Sequence, residues 1–193
     1  MTEPVSQYLR RVRRSVPRWT VSDWKVAAER VGGPQTPWLI LAVADQLRPK
    51  VLRHAVAYAW CWSDDSLALR REDWITLWRR AGYSVDGRTA EPPSEPVALW
   101  RGSMPPWHNG MSWTTNRATA EAYVTRWDAD AVYASGRRVG MIRTAAVFGV
   151  DMTPKLYAVQ APPTALLGQI NWRGEDEYVV DTTGLTIRLA AKS

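Results

Sequence analysis

The stretch Gly110-Met111-Ser112-Trp113-Thr114-Thr115-Asn116-Arg117-Ala118-Thr119-Ala120-Glu121-Ala122-Tyr123 decides how this chain reads. Met111 to Thr114 is a short run of apolar and hydroxyl side chains, which predicts a brief strand. The alanine-rich run from Arg117 to Trp127 predicts a helix directly after it. Thr115 or Asn116 can cap that helix, because a short side chain carries an oxygen able to accept from the open N–H groups of the first turn.

Outward from this stretch the texture stays strand-like on both sides. Val97 to Trp100 is a brief apolar run, and Val139 to Phe148, Lys155 to Val159 and Glu177 to Val180 read as further strands. Before them, Tyr83 to Pro96 carries Gly87, Pro92, Pro93 and Pro96 among polar residues and reads as a linker or long loop. The first part of the chain reads as helices. Thr20 can cap one bearing Trp24, Ala27, Ala28 and Val31, closed by Gly32-Gly33. Thr36-Pro37 opens another running through Leu39, Ile40, Val43 and Leu47. A third covers Val51 to Trp60, and a fourth sets Trp74, Leu77, Trp78 and Ala81 on one face and ends at Gly82. Helices first, then several strands around one helix, argue for an α+β fold rather than a parallel βαβ sheet. The expected organisation is a helical region with its linker over 1–96 and a β core over 97–193, together one compact unit.

Composition narrows the function classes. With 193 residues, 46% of them hydrophobic, the chain can bury a full core, and no stretch is apolar enough to span a membrane. Met1 to Trp19 holds five arginines and no apolar run, which reads against a secretory signal. That segment is read as a solvated first helix, or as one that touches a phosphate backbone or a membrane surface. The single cysteine, Cys61, excludes an internal disulfide, so we expect a cytoplasmic setting and a buried thiol. A net charge of +6 fits a polyanionic partner, but arginine is abundant and lysine scarce, so an arginine-rich background explains it equally well. Of the twelve tryptophans most must be core, and some are free to stack on bases. The two histidines, His54 on a helix face and His108 in a Pro/Gly loop, are far apart. No zinc-ligand spacing, Walker loop or dinucleotide loop is present, so no metal is expected.

Three segments stand out together: Leu99-Trp100-Arg101-Gly102, then Ser112-Trp113-Thr114 with its following helix, then Arg173-Gly174-Glu175-Asp176-Glu177-Tyr178-Val179-Val180-Asp181. In this order the last half of the chain resembles the arginine–serine–glutamate class of ADP-ribosyltransferases. That family carries an aromatic-Arg-Gly, a Ser-x-Thr or Ser-x-Ser, and a Glu-x-Glu on successive strands. Trp100 departs from its usual tyrosine or phenylalanine, and Thr114 keeps a hydroxyl where serine is common. The resemblance implies a split antiparallel β core of the ADP-ribosyltransferase type and the catalytic set Glu177, Arg101 and Ser112. It further implies NAD as a substrate, with Glu175 positioning an acceptor such as a protein arginine.

The residues suit that chemistry in their own right. Cleaving a ribosyl N-glycosidic bond passes through an oxocarbenium-like state that a carboxylate stabilises, which Glu177 would do. The planar fork of Arg101 would hold a phosphate, and Ser112 would hydrogen-bond Glu177 and fix its rotamer. If the last strand began early enough, alternation would aim Glu175 and Glu177 into one cleft. Gly102, Thr114, Tyr123 and Trp172 join the list of substrate-binding candidates, with Trp172 as a stacking ring. Trp107, Gln169 and Asn171 rank below them, and Trp113 is expected to point into the core. Nicotinamide leaves NAD from a cationic nitrogen without a general acid, and the sequence offers no obvious one, which favours NAD. The acceptor is a protein arginine, a nucleic acid or water. The alternative is a DNA or RNA N-glycosidase that excises a base, with Asp176, Glu175 or His108 as proton donor. Either activity suits a toxin or antiviral defence. A non-catalytic nucleic-acid-binding module is a third reading. The oligomeric state is open.

Overall fold

The computed structural model describes residues 4–14, 19–62, 68–126, 149, 151–172, 174 and 176–191. In chain order the elements are α1 (Val5–Arg14), α2 (Val21–Val31), α3 (Thr36–Val43), α4 (Pro49–Trp62), α5 (Arg71–Ala81), β1 (Ser84–Val85), β2 (Arg88–Thr89), β3 (Val97–Ser103), β4 (Ser112–Thr114), α6 (Arg117–Arg126), β5 (Lys155–Ala161), β6 (Leu166–Ile170), β7 (Glu177–Val180) and β8 (Arg188–Leu189). The protein is α+β, with helices gathered in the N-terminal half and strands paired in both senses. The strand expected over 139–148 lies outside the described residues. Two compact units divide the chain: Met1–Pro92 with Leu167–Ile170, and Pro93–Leu166 with Asn171–Ser193.

The first unit is a helical body with a small sheet. Thr20 caps α2 through a reciprocal box: its hydroxyl accepts from the Asp23 N–H at 3.2 Å while the Asp23 carboxylate accepts from the Thr20 N–H at 2.8 Å. Trp24, Ala27, Ala28 and Val31 form its buried stripe. The second expected helix is shorter than its apolar pattern suggests, because α3 stops at Val43 and a 3₁₀ turn covers Ala44–Gln46. Pro49 opens α4, and its ring pushes the preceding residue out of the helical region, so a break must come earlier. The arginine-rich first helix is solvated on one side only: Tyr8 and Val12 are buried, and Arg11 and Arg30 lie 5.2 and 4.6 Å from the Tyr8 ring centre. Trp24, Trp74 and Trp78 are fully buried, and Trp60 meets Trp74 edge to face at 5.2 Å. Cys61 is buried as expected.

Part of the expected linker is instead a tight hairpin. Asp86 and Gly87 both take positive φ (51° and 70°), the backbone that joins β1 to β2 with the right twist. A Cβ on Gly87 would lie 2.9 Å from the His54 Cα, so glycine is required there twice over. Strand β6 pairs parallel to β1, with Val85 opposite Gln169. Gly168 sits against the indole of Trp78, where an added Cβ would come within 2.5 Å.

The second unit is an antiparallel sheet in the order β7-β4-β3-β5-β8. Leu99, Val159, Ala161 and Val179 are buried in its core. Helix α6 lies on β3, and Gly102 permits the close approach: a Cβ there would be 2.2 Å from the Ala120 carbonyl oxygen and 2.8 Å from the Val124 nitrogen. Among the described residues no helix is long and apolar enough to cross a membrane.

Candidate functional site

Three adjacent strands of the second unit carry the three sequence motifs. In the ladders Trp100 pairs with Thr114, and Thr114 pairs with Glu177. Residues paired across a ladder point to the same side of a sheet. An aromatic ring, a hydroxyl and a carboxylate therefore stand in one row across β3, β4 and β7. Neighbouring strands are about 4.8 Å apart, so the ring and the carboxylate are about 10 Å apart at the backbone. A cleft opens over this row. Its floor is Trp100, Gly102, Ser112, Thr114 and Glu177, and α6 supplies Thr119, Ala120 and Tyr123 on its wall.

The fold thus brings Ser112, Thr114, Gly102, Tyr123 and Glu177 together, and Arg101 and Trp113 are also among the lining residues. Trp113 is buried, as its expected inward orientation requires, and its indole N–H donates to the Gly110 carbonyl at 2.7 Å. Trp172 is 44% exposed and is not among the lining residues. Glu175 lies outside the described residues. Trp100, Thr119 and Ala120 join the site without having been singled out for it. The signal for the last two was helical spacing, since 119, 120 and 123 share a face one turn long.

The ladder and the hydrogen bonds give two of these side chains a definite setting. Ser112 stands across from Val179, not Glu177. The two-residue offset is about 6.6 Å along the strand, and both Ser112 and Glu177 line the cleft. The hydroxyl opposite Glu177 is that of Thr114, which is buried and accepts from the Asn116 N–H at 3.0 Å. Asn116 in turn caps α6, its side-chain oxygen accepting from the Thr119 N–H at 3.2 Å. Arg101 alternates along β3 with Trp100 and Gly102, so it starts from the other side of the sheet. Its guanidinium donates to the carbonyls of Ser112 at 2.6 Å and Trp107 at 3.4 Å. A Cβ on Gly110 would come within 2.5 Å of that guanidinium. Arg101 therefore ties the 104–112 loop to β3. Burial against main chain pulls the guanidinium down to about 10, while the charges of Glu177 and Tyr123 act in the opposite direction. It stays a cation at neutral pH.

Strand β7 begins at Glu177, and Asp176 before it has φ +47°, outside extended strand geometry. The Thr115 hydroxyl hydrogen-bonds the Asp176 carboxylate. His108 sits in its loop with Nδ1 at 2.6 Å from the Pro105 carbonyl, which fixes Nδ1 as the protonated nitrogen, and its ring leans on Tyr157 at 5.4 Å. Compared with known protein families, curated proteins and solved structures, the chain matches none.

Proposed function

We propose that this protein cleaves an N-glycosidic bond, with Glu177 as the carboxylate that faces the reacting sugar, on an ADP-ribosyltransferase type of fold. The observation that carries the reading is the row Trp100–Thr114–Glu177 in one cleft, because it sets three separate motifs side by side. The substrate we favour is NAD. Its bond between the anomeric carbon and nitrogen breaks, and nicotinamide departs neutral with the electron pair. The acceptor, an arginine side chain, a nucleic acid or water, then attacks the anomeric carbon and loses a proton. No general acid is needed for this leaving group. Glu177 stabilises the positive sugar and accepts from its hydroxyls. The hydroxyls of Ser112, Thr114 and Thr119 suit a ribose, and the rings of Trp100 and Tyr123 suit a flat leaving group. Arg101 acts here by holding the loop that borders the cleft, a change from the phosphate-binding role that the sequence suggests. A cytoplasmic setting belongs to the same proposal.

The test is to incubate the protein in parallel with labelled NAD and with DNA that includes modified bases. Mass spectrometry then reads free nicotinamide and free bases. We expect nicotinamide release, and Glu177→Gln should lower it by on the order of 10²–10³ with the fold intact. Undiminished turnover in that variant would remove Glu177 from the mechanism. Base release without NAD would instead make the protein a nucleic-acid N-glycosidase. Nucleic-acid binding unchanged by Glu177→Gln, with neither product formed, would mark a non-catalytic module.

A further inference from the structure

We infer that the hydrogen bond between Thr115 and Asp176 is a positioning device for Glu177; this rests on the reading of Glu177 as the catalytic carboxylate. Four residues in two adjacent pairs carry the argument. Thr114 faces Glu177 across the β4–β7 ladder, and the next residue on each side, Thr115 and Asp176, is joined side chain to side chain. Thr115 thus grips the residue immediately before the carboxylate.

The backbone explains why a grip is needed there. Asp176 is in the left-handed region at φ +47°, which few residues other than glycine, asparagine and aspartate tolerate. The chain reaches it from a tight turn, with Gly174 at φ +70° and its N–H donating to the Asn171 carbonyl at 2.8 Å. Extended ladder geometry begins only at Glu177. A change in the Asp176 dihedrals would rotate the first residue of β7, and that residue is Glu177. The Thr115 end of the bond is itself fixed. Thr114 accepts from the Asn116 N–H, and Asn116 caps the helix that walls the cleft. The left-handed turn, the carboxylate and the α6 cap are therefore one connected unit.

In this scheme Asp176 accepts a hydrogen bond and transfers no proton. Asparagine keeps an accepting oxygen and tolerates the same backbone, so Asp176→Asn separates the two roles. We expect Thr115→Ala and Asp176→Ala to lower kcat for nicotinamide release about tenfold with KM nearly unchanged, since small misplacements of a reacting group have large rate effects. Thr115→Ser and Asp176→Asn should restore most of it. Loss of activity in Asp176→Asn with a normal Thr115→Ala would overturn the inference and assign Asp176 to proton transfer. A readout independent of turnover is the Glu177 carboxyl ¹³C resonance, assigned by its disappearance in Glu177→Gln. Its chemical shift and titration midpoint should move in Thr115→Ala and return in Thr115→Ser; an unmoved resonance sinks the idea. If Glu177→Gln turns over normally, the functional reading fails and this inference with it. An inactive Glu177→Gln beside a normal Thr115→Ala removes the inference alone.

Discussion

Arg101 shows how a single side chain divides between architecture and chemistry. Its guanidinium bonds two main-chain carbonyls, those of Trp107 and Ser112, and lies in van der Waals contact with Gly110. Removing it leaves both carbonyls to find other partners, at a cost of about 1–3 kcal/mol for each that stays buried and unpaired. We therefore expect Arg101→Gln and Arg101→Lys to lower the melting temperature as well as turnover. Lysine should not rescue, because one ammonium at the end of a flexible stem cannot reproduce a fork held between two acceptors. Thermal melts beside steady-state kinetics decide the matter. A variant that melts like the wild type but has a raised KM for NAD would return Arg101 to the phosphate role its motif suggests.

At the scale of elements, α2 offers the cleanest case of local sequence dictating local structure. Thr20 and Asp23 satisfy each other's backbone N–H groups in a box written entirely in four consecutive residues. Thr20→Ala should cost about 1 kcal/mol and Thr20→Ser almost nothing, read as midpoint shifts in urea unfolding. An unchanged Thr20→Ala midpoint would mean that α2 is held by its buried stripe alone. Helices α4 and α5 were legible for the same reason, since their stripes and stops are local. The failures have a physical pattern. Asp86-Gly87 joins strands only two residues long, too short for alternation to register, so the hairpin read as a linker. Strand β6 has a glycine in its middle, and what requires that glycine is the indole of Trp78, some ninety positions away in the chain. The motifs on β3, β4 and β7 were legible because each lies within one short segment. Their register was not, because spacing along a chain does not say which hydroxyl faces which carboxylate. The ladder sets Thr114 directly opposite Glu177 and Ser112 two residues along on the same face.

At the scale of the whole molecule, the division of the chain is not a cut at one point. The first unit takes Met1–Pro92 and also Leu167–Ile170 from far downstream. Leu167 and Ile170 are 4% and 2% exposed in the chain, the Asp86 N–H donates to the Gln169 carbonyl at 2.9 Å, and Gly168 sits against the indole of Trp78. Truncating buried leucine or isoleucine side chains costs about 2–5 kcal/mol each. Losing two of them removes much of the roughly 5–15 kcal/mol that a domain has in total. A fragment of residues 1–96 should therefore retain helical circular dichroism but lose its sharp thermal transition, with tryptophan emission shifted to the red as Trp78 meets water. A synthetic peptide spanning residues 165–172, added in trans, should sharpen the transition and move the emission back. A bare fragment that melts cooperatively, with blue-shifted emission and no response to the peptide, would show that the helical body is complete without β6 and that this strand only decorates a finished core.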